Sequence, residues 1–174
     1  TLHDANHLAH PQNYGPIHAA YFRWVVRPRA RTAQELITIS RFSQAELSRT
    51  LQLPAERFHI IAQGVSERYR PASREAIQHF AARHGLPSRY FAAVGSIKPH
   101  KNLALLTAIA RSLPAPIALL AGRNAKEHLG LRDNVVDLGE LPEEELPAFY
   151  TGAMGLLFPS RYEGFGLPAL EAMA

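Results

Sequence analysis

The sequence predicts an α/β protein built as two lobes with parallel sheets. Short apolar runs alternate with stretches of helical period along the chain, the pattern of strand–helix units on a parallel sheet. Glycine and proline punctuate the joints, as at Gly64, Gly85, Pro87 and Gly95. A polar, proline-containing stretch, Tyr69 to Ser73, separates two such series. It places a first lobe over residues 1–70 and a second over residues 71–174.

The elements follow in order. Leu36 to Ile39 (LITI) is a buried-strand candidate, and Ser43 is expected to cap the helix QAELSRTLQL, with Glu46 completing a capping box. Arg57 to Ala62 (RFHIIA) is a second strand that ends in a Gln63-Gly64 turn. A helix over about Ser73 to His84 stops at Gly85, where a left-handed cap suits glycine. Strands are expected at Tyr90 to Val94, Ile117 to Ala121, Val135 to Leu138 and Gly155 to Phe158. Helices are expected at Asn102 to Ser112, Pro142 to Tyr150 and from Leu167 onward. Pro142 and the three carboxylates Glu143, Glu144 and Glu145 suit a helix start. In open parallel sheets ligands bind outside the carboxyl ends of the strands. The informative loops are therefore those after Val94, Ala121, Leu138 and Phe158.

Composition narrows the chemistry. The chain has 174 residues and no cysteine, which excludes disulfides, thiolate metal sites and cysteine nucleophiles. No apolar run approaches the roughly 18 residues needed to span a bilayer, and the first residues, TLHDANHLAH, lack the basic-then-apolar order of a signal peptide. A cytoplasmic location, with peripheral contact at the inner membrane face as a variant of it, is the expectation. The net charge of +4 suits a polyanion such as a nucleotide as well as a nucleic acid or a membrane surface. Both ends read as cut: a His-Asp motif stands at the start with no strand before it, and the last residues, EAMA, lie within a helix.

The densest motif is Phe158 to Ala174, FPSRYEGFGLPALEAMA. A strand runs into a loop with Gly164 and Gly166, where the backbone can approach a ligand closely. The helix start at Leu167-Pro168 offers unpaired N–H groups suited to phosphate. Glu163 precedes the loop and Glu171 lies about one turn into the helix, so both carboxylates can face one ligand. Carboxylates accept paired hydrogen bonds from the vicinal hydroxyls of sugars and riboses. The bland alternative is a glycine turn with two surface carboxylates.

This string closely resembles the Glu-x7-Glu signature of retaining GT-B glycosyltransferases of the family 4, or group 1, type. Other pieces resemble that family in the same order: His3-Asp4, TISRFSQAEL over residues 38–47, Gln63-Gly64-Val65 where members usually have Asn-Gly-Val, VGSIKPHKN over residues 94–102, and the segment from Leu138-Gly139 to Tyr150. The resemblance implies a GT-B enzyme of two Rossmann-like lobes with the active site in the cleft between them. It implies a first lobe that is partial here and a second, donor-binding lobe incomplete at its C-terminus.

The resemblance also implies roles. Lys101 would contact the pyrophosphate, in a site with Gly95, Ser96 and Gly139. Ser96 stands where many members have Arg, and Lys98 is the alternative cation. Glu163 would bind donor-sugar hydroxyls, and His3 would lie beside the reacting sugar. The N–H groups of Phe165, Gly166 and Leu167, beyond Gly164, would sit near sugar and phosphate. Glu171 would hold the ribose hydroxyls. The implied reaction moves a sugar from a nucleoside diphosphate to a glycan or lipid-linked acceptor hydroxyl with retention, in surface polysaccharide or glycolipid synthesis. No cofactor or metal is expected; the nucleotide sugar is a co-substrate. A nucleotide-sugar epimerase and a non-catalytic nucleotide-sugar-binding fragment are the rival readings.

Two further features stay open. His3, His7 and His10 invite a metal reading, but no carboxylate stands in an HExxH-like position, and capping or surface roles compete with it. Tyr21 to Arg31 (YFRWVVRPRAR) reads as an amphipathic helix broken near Pro28. Its arginines form either a solvated face or a contact for an anionic membrane or lipid-linked acceptor. No nucleic-acid fold signature accompanies them.

Overall fold

The computed structural model describes residues 1–11, 14–131 and 134–174. Its contacts divide the chain into two compact units, Thr1–Gly64 with Tyr162–Gly166, and Val65–Arg161 with Leu167–Ala174.

The first unit holds two parallel strands, β1 (Leu36–Thr38) and β2 (Phe58–Ile60), paired in the register Leu36 to Phe58. Parallel neighbours need a crossover, here α4 (Arg41–Leu51). Ser43, Leu47 and Leu51 are its buried residues. Their i, i+4, i+8 spacing makes one stripe, and the two leucines pack with Leu36, Leu53 and Phe58. Ser40, not Ser43, caps this helix: its side chain accepts from the Ser43 N–H at 3.0 Å. Ser43 is the third helical residue and fully buried. The expected capping box fails for that reason, and Glu46 instead pairs with Arg49 at 3.0 Å. The side chain of Gln44 ties the helix to the following strand, donating to Phe58 O at 2.9 Å and Ala55 O at 3.1 Å.

Before β1 lie α1 (Asn6–Ala9), α2 (Pro16–Tyr21) and α3 (Arg27–Thr32). The helix is not broken near Pro28. Residues Phe22–Val26 form a π-helical turn that joins α2 to α3 without a gap. Proline lacks an N–H and its ring crowds the carbonyl four residues back. The wider turn, in which the Arg27 N–H reaches Phe22 O, sits immediately before that proline. Only Ala30 of α3 is buried, whereas Ile17, Tyr21, Trp24 and Val25 are exposed.

The second unit is a four-stranded parallel sheet of β3 (Phe91–Val94), β4 (Ile117–Leu120), β5 (Val135–Asp137) and β6 (Leu156–Leu157), in the order β5-β4-β3-β6. Side chains alternate between the faces of a strand, and the core divides accordingly. Ala93, Ile117, Leu119 and Val135 pack with Leu106 of α6 (Leu105–Ile109) and Ala125 of α7 (Ala125–His128). Ala92 and Ala118 pack with Phe80 of α5 (Arg74–Arg83) and Phe149 of α8 (Leu146–Thr151). Small residues on that face leave room for the rings of Tyr90 and Phe149, whose centroids lie 6.3 Å apart. Ser73 caps α5, and Gly85 ends it at φ +62. The helix expected over Asn102 to Ser112 is shorter, with α6 followed by a 3₁₀ turn over Ala110–Ser112. The final helix, α9, spans Leu167–Met173.

Candidate functional site

The first unit brings the His-Asp motif to the glycine loop. The Leu2 N–H donates to Ile37 O at 2.8 Å, which lays the start of the chain along β1. The next residues turn: Asp4 Oδ1 accepts from the Asn6 N–H at 2.9 Å, and Ala5 is fully buried. His3, between these anchors, is exposed. A β-carbon placed on Gly164 would stand 3.0 Å from Asp4 Cβ and 3.3 Å from Ser43 Oγ. Glycine suits this close approach, since a side chain here would make its neighbours give by a few tenths of an ångström. Its carbonyl accepts from Ser40 Oγ at 2.5 Å and from Ser43 Oγ at 3.1 Å. Tyr162 anchors the loop from the other side, its ring edge-on to Phe42 at 5.1 Å and to His10 at 5.0 Å. Burial, with the nearby Asp4 and Glu46 charges adding, pushes the Tyr162 phenol up to about 12. Glu163, Phe165 and Gly166, the last at φ +87, are partly buried between these anchors.

In the second unit the strand order fixes where a ligand belongs. From β3 the chain proceeds to β4 and β5 on one side, then returns to place β6 on the other. The loops leaving β3 and β6 flank this reversal, which is where open α/β sheets hold ligands. Gly95, Ser96 and Lys101 lie on the first loop. A β-carbon on Gly95 would meet Leu103 at 3.3 Å, so the loop passes tightly over the core. Lys101 closes a 3₁₀ turn, Pro99–Lys101, before Asn102 at φ +53. The two loops are tied together. The Arg161 N–H donates to His100 O at 2.8 Å, and the Asn102 amide donates to Pro159 O at 3.2 Å. Gly139 stands beyond β5 at φ +64; its N–H is held by Asp137 Oδ1 at 3.0 Å and its carbonyl accepts from Gly122 N–H. Gly95, Ser96, Lys101 and Gly139 thus share the carboxyl edge of one sheet.

Glu171 has partners that sequence reasoning did not see. Tyr150 Oη donates to Glu171 Oε2 at 2.9 Å. The Tyr69 phenol is pushed up to about 12 by burial and by the nearby Glu171 charge. Burial and the same hydrogen bond push Tyr150 up further. Both tyrosines therefore stay neutral donors. They line a cavity of about 310 Å³ with Arg70, Pro71, Thr151 and Glu171. A carboxylate has about four lone-pair sites, so the Tyr150 bond leaves capacity for further donors.

Among the described residues no three His, Cys, Asp or Glu side chains gather in a way that could hold a metal ion. No described helix is long and apolar enough to cross a membrane.

A parallel sheet covered on both faces fits the α/β architecture of GT-B glycosyltransferases, and solved structures share the fold. Anabaena HepE in complex with UDP and glucose superposes with a TM-score of 0.75 over 95% of this chain and 48% of that one, at 19% identity. The chain belongs to the glycosyl transferases group 1 family, whose model matches residues 75–174. It is 29% identical over its full length to the O-antigen chain mannosyltransferase B of Escherichia coli, covering 50% of that protein. It is 27% identical to the O-antigen chain mannosyltransferase RfbU of Salmonella typhimurium, covering 48%. The chain thus spans about half the length of these curated relatives.

Proposed function

We propose that the protein moves a sugar from a nucleoside-diphosphate sugar to an acceptor hydroxyl with retention, in surface polysaccharide or glycolipid synthesis. One observation carries the reading: the Glu163–Gly166 loop is docked on the His-Asp motif, with Gly164 packed closely on Asp4. This contact joins Asp4 and Gly164, 160 positions apart, the sequence neighbours of His3 and Glu163. The two O-antigen mannosyltransferase relatives and the UDP-bound structural neighbour support the same class of donor and product.

The chemistry divides as follows. Lys101, on the loop at the sheet reversal, faces the charge that grows on the diphosphate as the sugar C1–O bond breaks. A fixed cation there stabilises the transition state more than the ground state. Glu163 holds donor-sugar hydroxyls, with His3 beside the sugar, and Glu171 holds the ribose. The acceptor oxygen bonds to C1 on the face the diphosphate leaves, and its proton passes to the departing phosphate oxygen. No protein nucleophile, metal or cofactor takes part in this scheme. Exposed Trp24, Tyr21 and Ile17, with Arg23, Arg29 and Arg31 around them, supply a peripheral contact with an anionic membrane surface on the cytoplasmic side, where a lipid-linked acceptor resides.

The test is sugar transfer by the whole protein across UDP, GDP and ADP sugars, beside Glu163→Ala and Lys101→Ala. Each variant is expected to lose on the order of 10²-fold in kcat, the scale for removing one transition-state charge partner, with melting unchanged. Unchanged turnover in both would overturn the site assignment. Epimerised or free sugar without acceptor product would replace the transfer reading.

A further inference from the structure

Ser43 occupies a position of α4 that its stripe marks for an apolar side chain. Leu47 and Leu51 follow at the same face, and all three are fully buried. A buried hydroxyl is costly unless it is bonded, and this one donates to Gly164 O, 121 residues away in sequence. Ser40 donates to the same oxygen while its own oxygen accepts the Ser43 N–H. Two hydroxyl donors therefore converge on one carbonyl, next to Glu163.

We infer that Ser40 and Ser43 are positioning residues for the transfer proposed above, acting through the Gly164–Phe165 peptide. In a trans peptide the carbonyl and the following N–H point to opposite sides of the chain. Fixing Gly164 O against α4 therefore aims the Phe165 N–H away from α4. No backbone carbonyl among the described residues accepts from that N–H. It is a preorganised donor for the sugar or the phosphate beside Glu163, and the same clamp sets the direction of the Glu163 side chain one residue back. Preorganised N–H groups act on charge that develops in the transition state, so the clamp contributes to turnover rather than to donor affinity. The inference rests on the transferase reading.

Three variants of the whole protein separate this role from a structural one. Ser43→Ala removes one donor. Ser40→Asp keeps an oxygen to cap α4, as aspartate does, but offers the Gly164 carbonyl no proton. Ser40→Thr keeps both functions. Expected are kcat values lower by about 10- to 100-fold for Ser43→Ala and Ser40→Asp, donor KM within about threefold of wild type, and wild-type kcat for Ser40→Thr. Glu163→Gln runs alongside. Wild-type kcat in Ser43→Ala and Ser40→Asp with Glu163→Gln inactive overturns the positioning role and leaves the transferase reading standing. A raised KM at constant kcat, or a loss in Ser40→Thr equal to that in Ser40→Asp, overturns it too. Absence of transfer by the wild type from every donor overturns the transferase reading, and this role falls with it.

Discussion

Gly152 sits at the end of α8, at φ −75 and ψ −13, a helical conformation that any residue adopts. Backbone propensity alone predicts that Gly152→Ala stabilises the protein by about 0.5–1 kcal/mol. The surroundings predict the opposite. The new β-carbon would stand 2.7 Å from Tyr90 Oη, and 3.0 Å from both Ala148 O and Ile77 Cγ2, where ordinary contact begins at 3.4 Å. Tyr90 is 1% exposed and cannot swing out. Its hydroxyl donates to Phe149 O at 2.7 Å, satisfying a carbonyl in the last turn of α8. Retreat of the hydroxyl breaks that bond, worth about 0.5–1.5 kcal/mol. Overpacking a rigid site adds about 1–3 kcal/mol. The net is a loss of about 2 kcal/mol. With a urea m-value of about 1–3 kcal/mol/M, the midpoint of the second unit's transition falls by roughly 1 M. Tyr90→Phe removes the obstructing oxygen, so the double variant Tyr90→Phe/Gly152→Ala is expected to be more stable than the sum of the single changes by about 1 kcal/mol. Urea unfolding of the four proteins of this cycle is the assay. A stabilised or neutral Gly152→Ala, or strict additivity with Tyr90→Phe, would refute the reasoning.

Two other outcomes are expected. Burial raises the phenols of Tyr69, Tyr90, Tyr150 and Tyr162 above the ordinary value. A folded-state pKa above the unfolded one gives stability that is intact below the unfolded pKa, about 10, and lost as pH rises past it. Melting temperature should therefore drop through pH 10–12, with phenolate absorbance from these rings appearing only on unfolding. Their ionisation near pH 10 in the folded protein would contradict this. Separately, Arg23→Ala should weaken sedimentation of the whole protein with anionic vesicles by about fivefold, since each basic residue near such a surface is worth about 1 kcal/mol. Trp24→Ala should weaken it further, because Trp24 is 71% exposed with Arg23 over its ring at 5.3 Å. Equal sedimentation of all three proteins would remove the membrane contact from the proposed function.

The strands of the second unit were legible because each is a short apolar run whose alternate residues serve opposite faces of a covered parallel sheet. Ala92 with Ala93, and Ala118 with Leu119, are assigned to their two cores by period alone. Helix ends were legible where a cap is a local event, as at Ser73 and Gly85. The start of α4 was not. Two serines three residues apart both satisfy the local rule for a cap; what distinguishes them is that the backbone is still extended at Ser40 and already helical at Ser43, whose N–H the Ser40 side chain accepts. The same holds for Pro28: a proline in a helical pattern marks a difficulty, but whether the helix breaks or widens depends on what holds it from both sides.

The carboxylates show the same limit from the side of function. Glu163 and Glu171 were both chosen from one short string, as a pair fit to face one ligand. In the structure each is set by a different neighbourhood. Glu171 is held through its own oxygens by Tyr150, which precedes it by 21 positions. Next to Glu163 it is the main chain that is held, through a glycine pressed on Asp4 and clamped by two serines. On the proposed roles, substitutions in the Ser40–Ser43 segment are expected to lower turnover and to leave nucleotide binding through Glu171 unchanged. Turnover and nucleotide affinity are thus expected to be separable by mutation under the proposed function, although the two glutamates lie only eight residues apart in sequence.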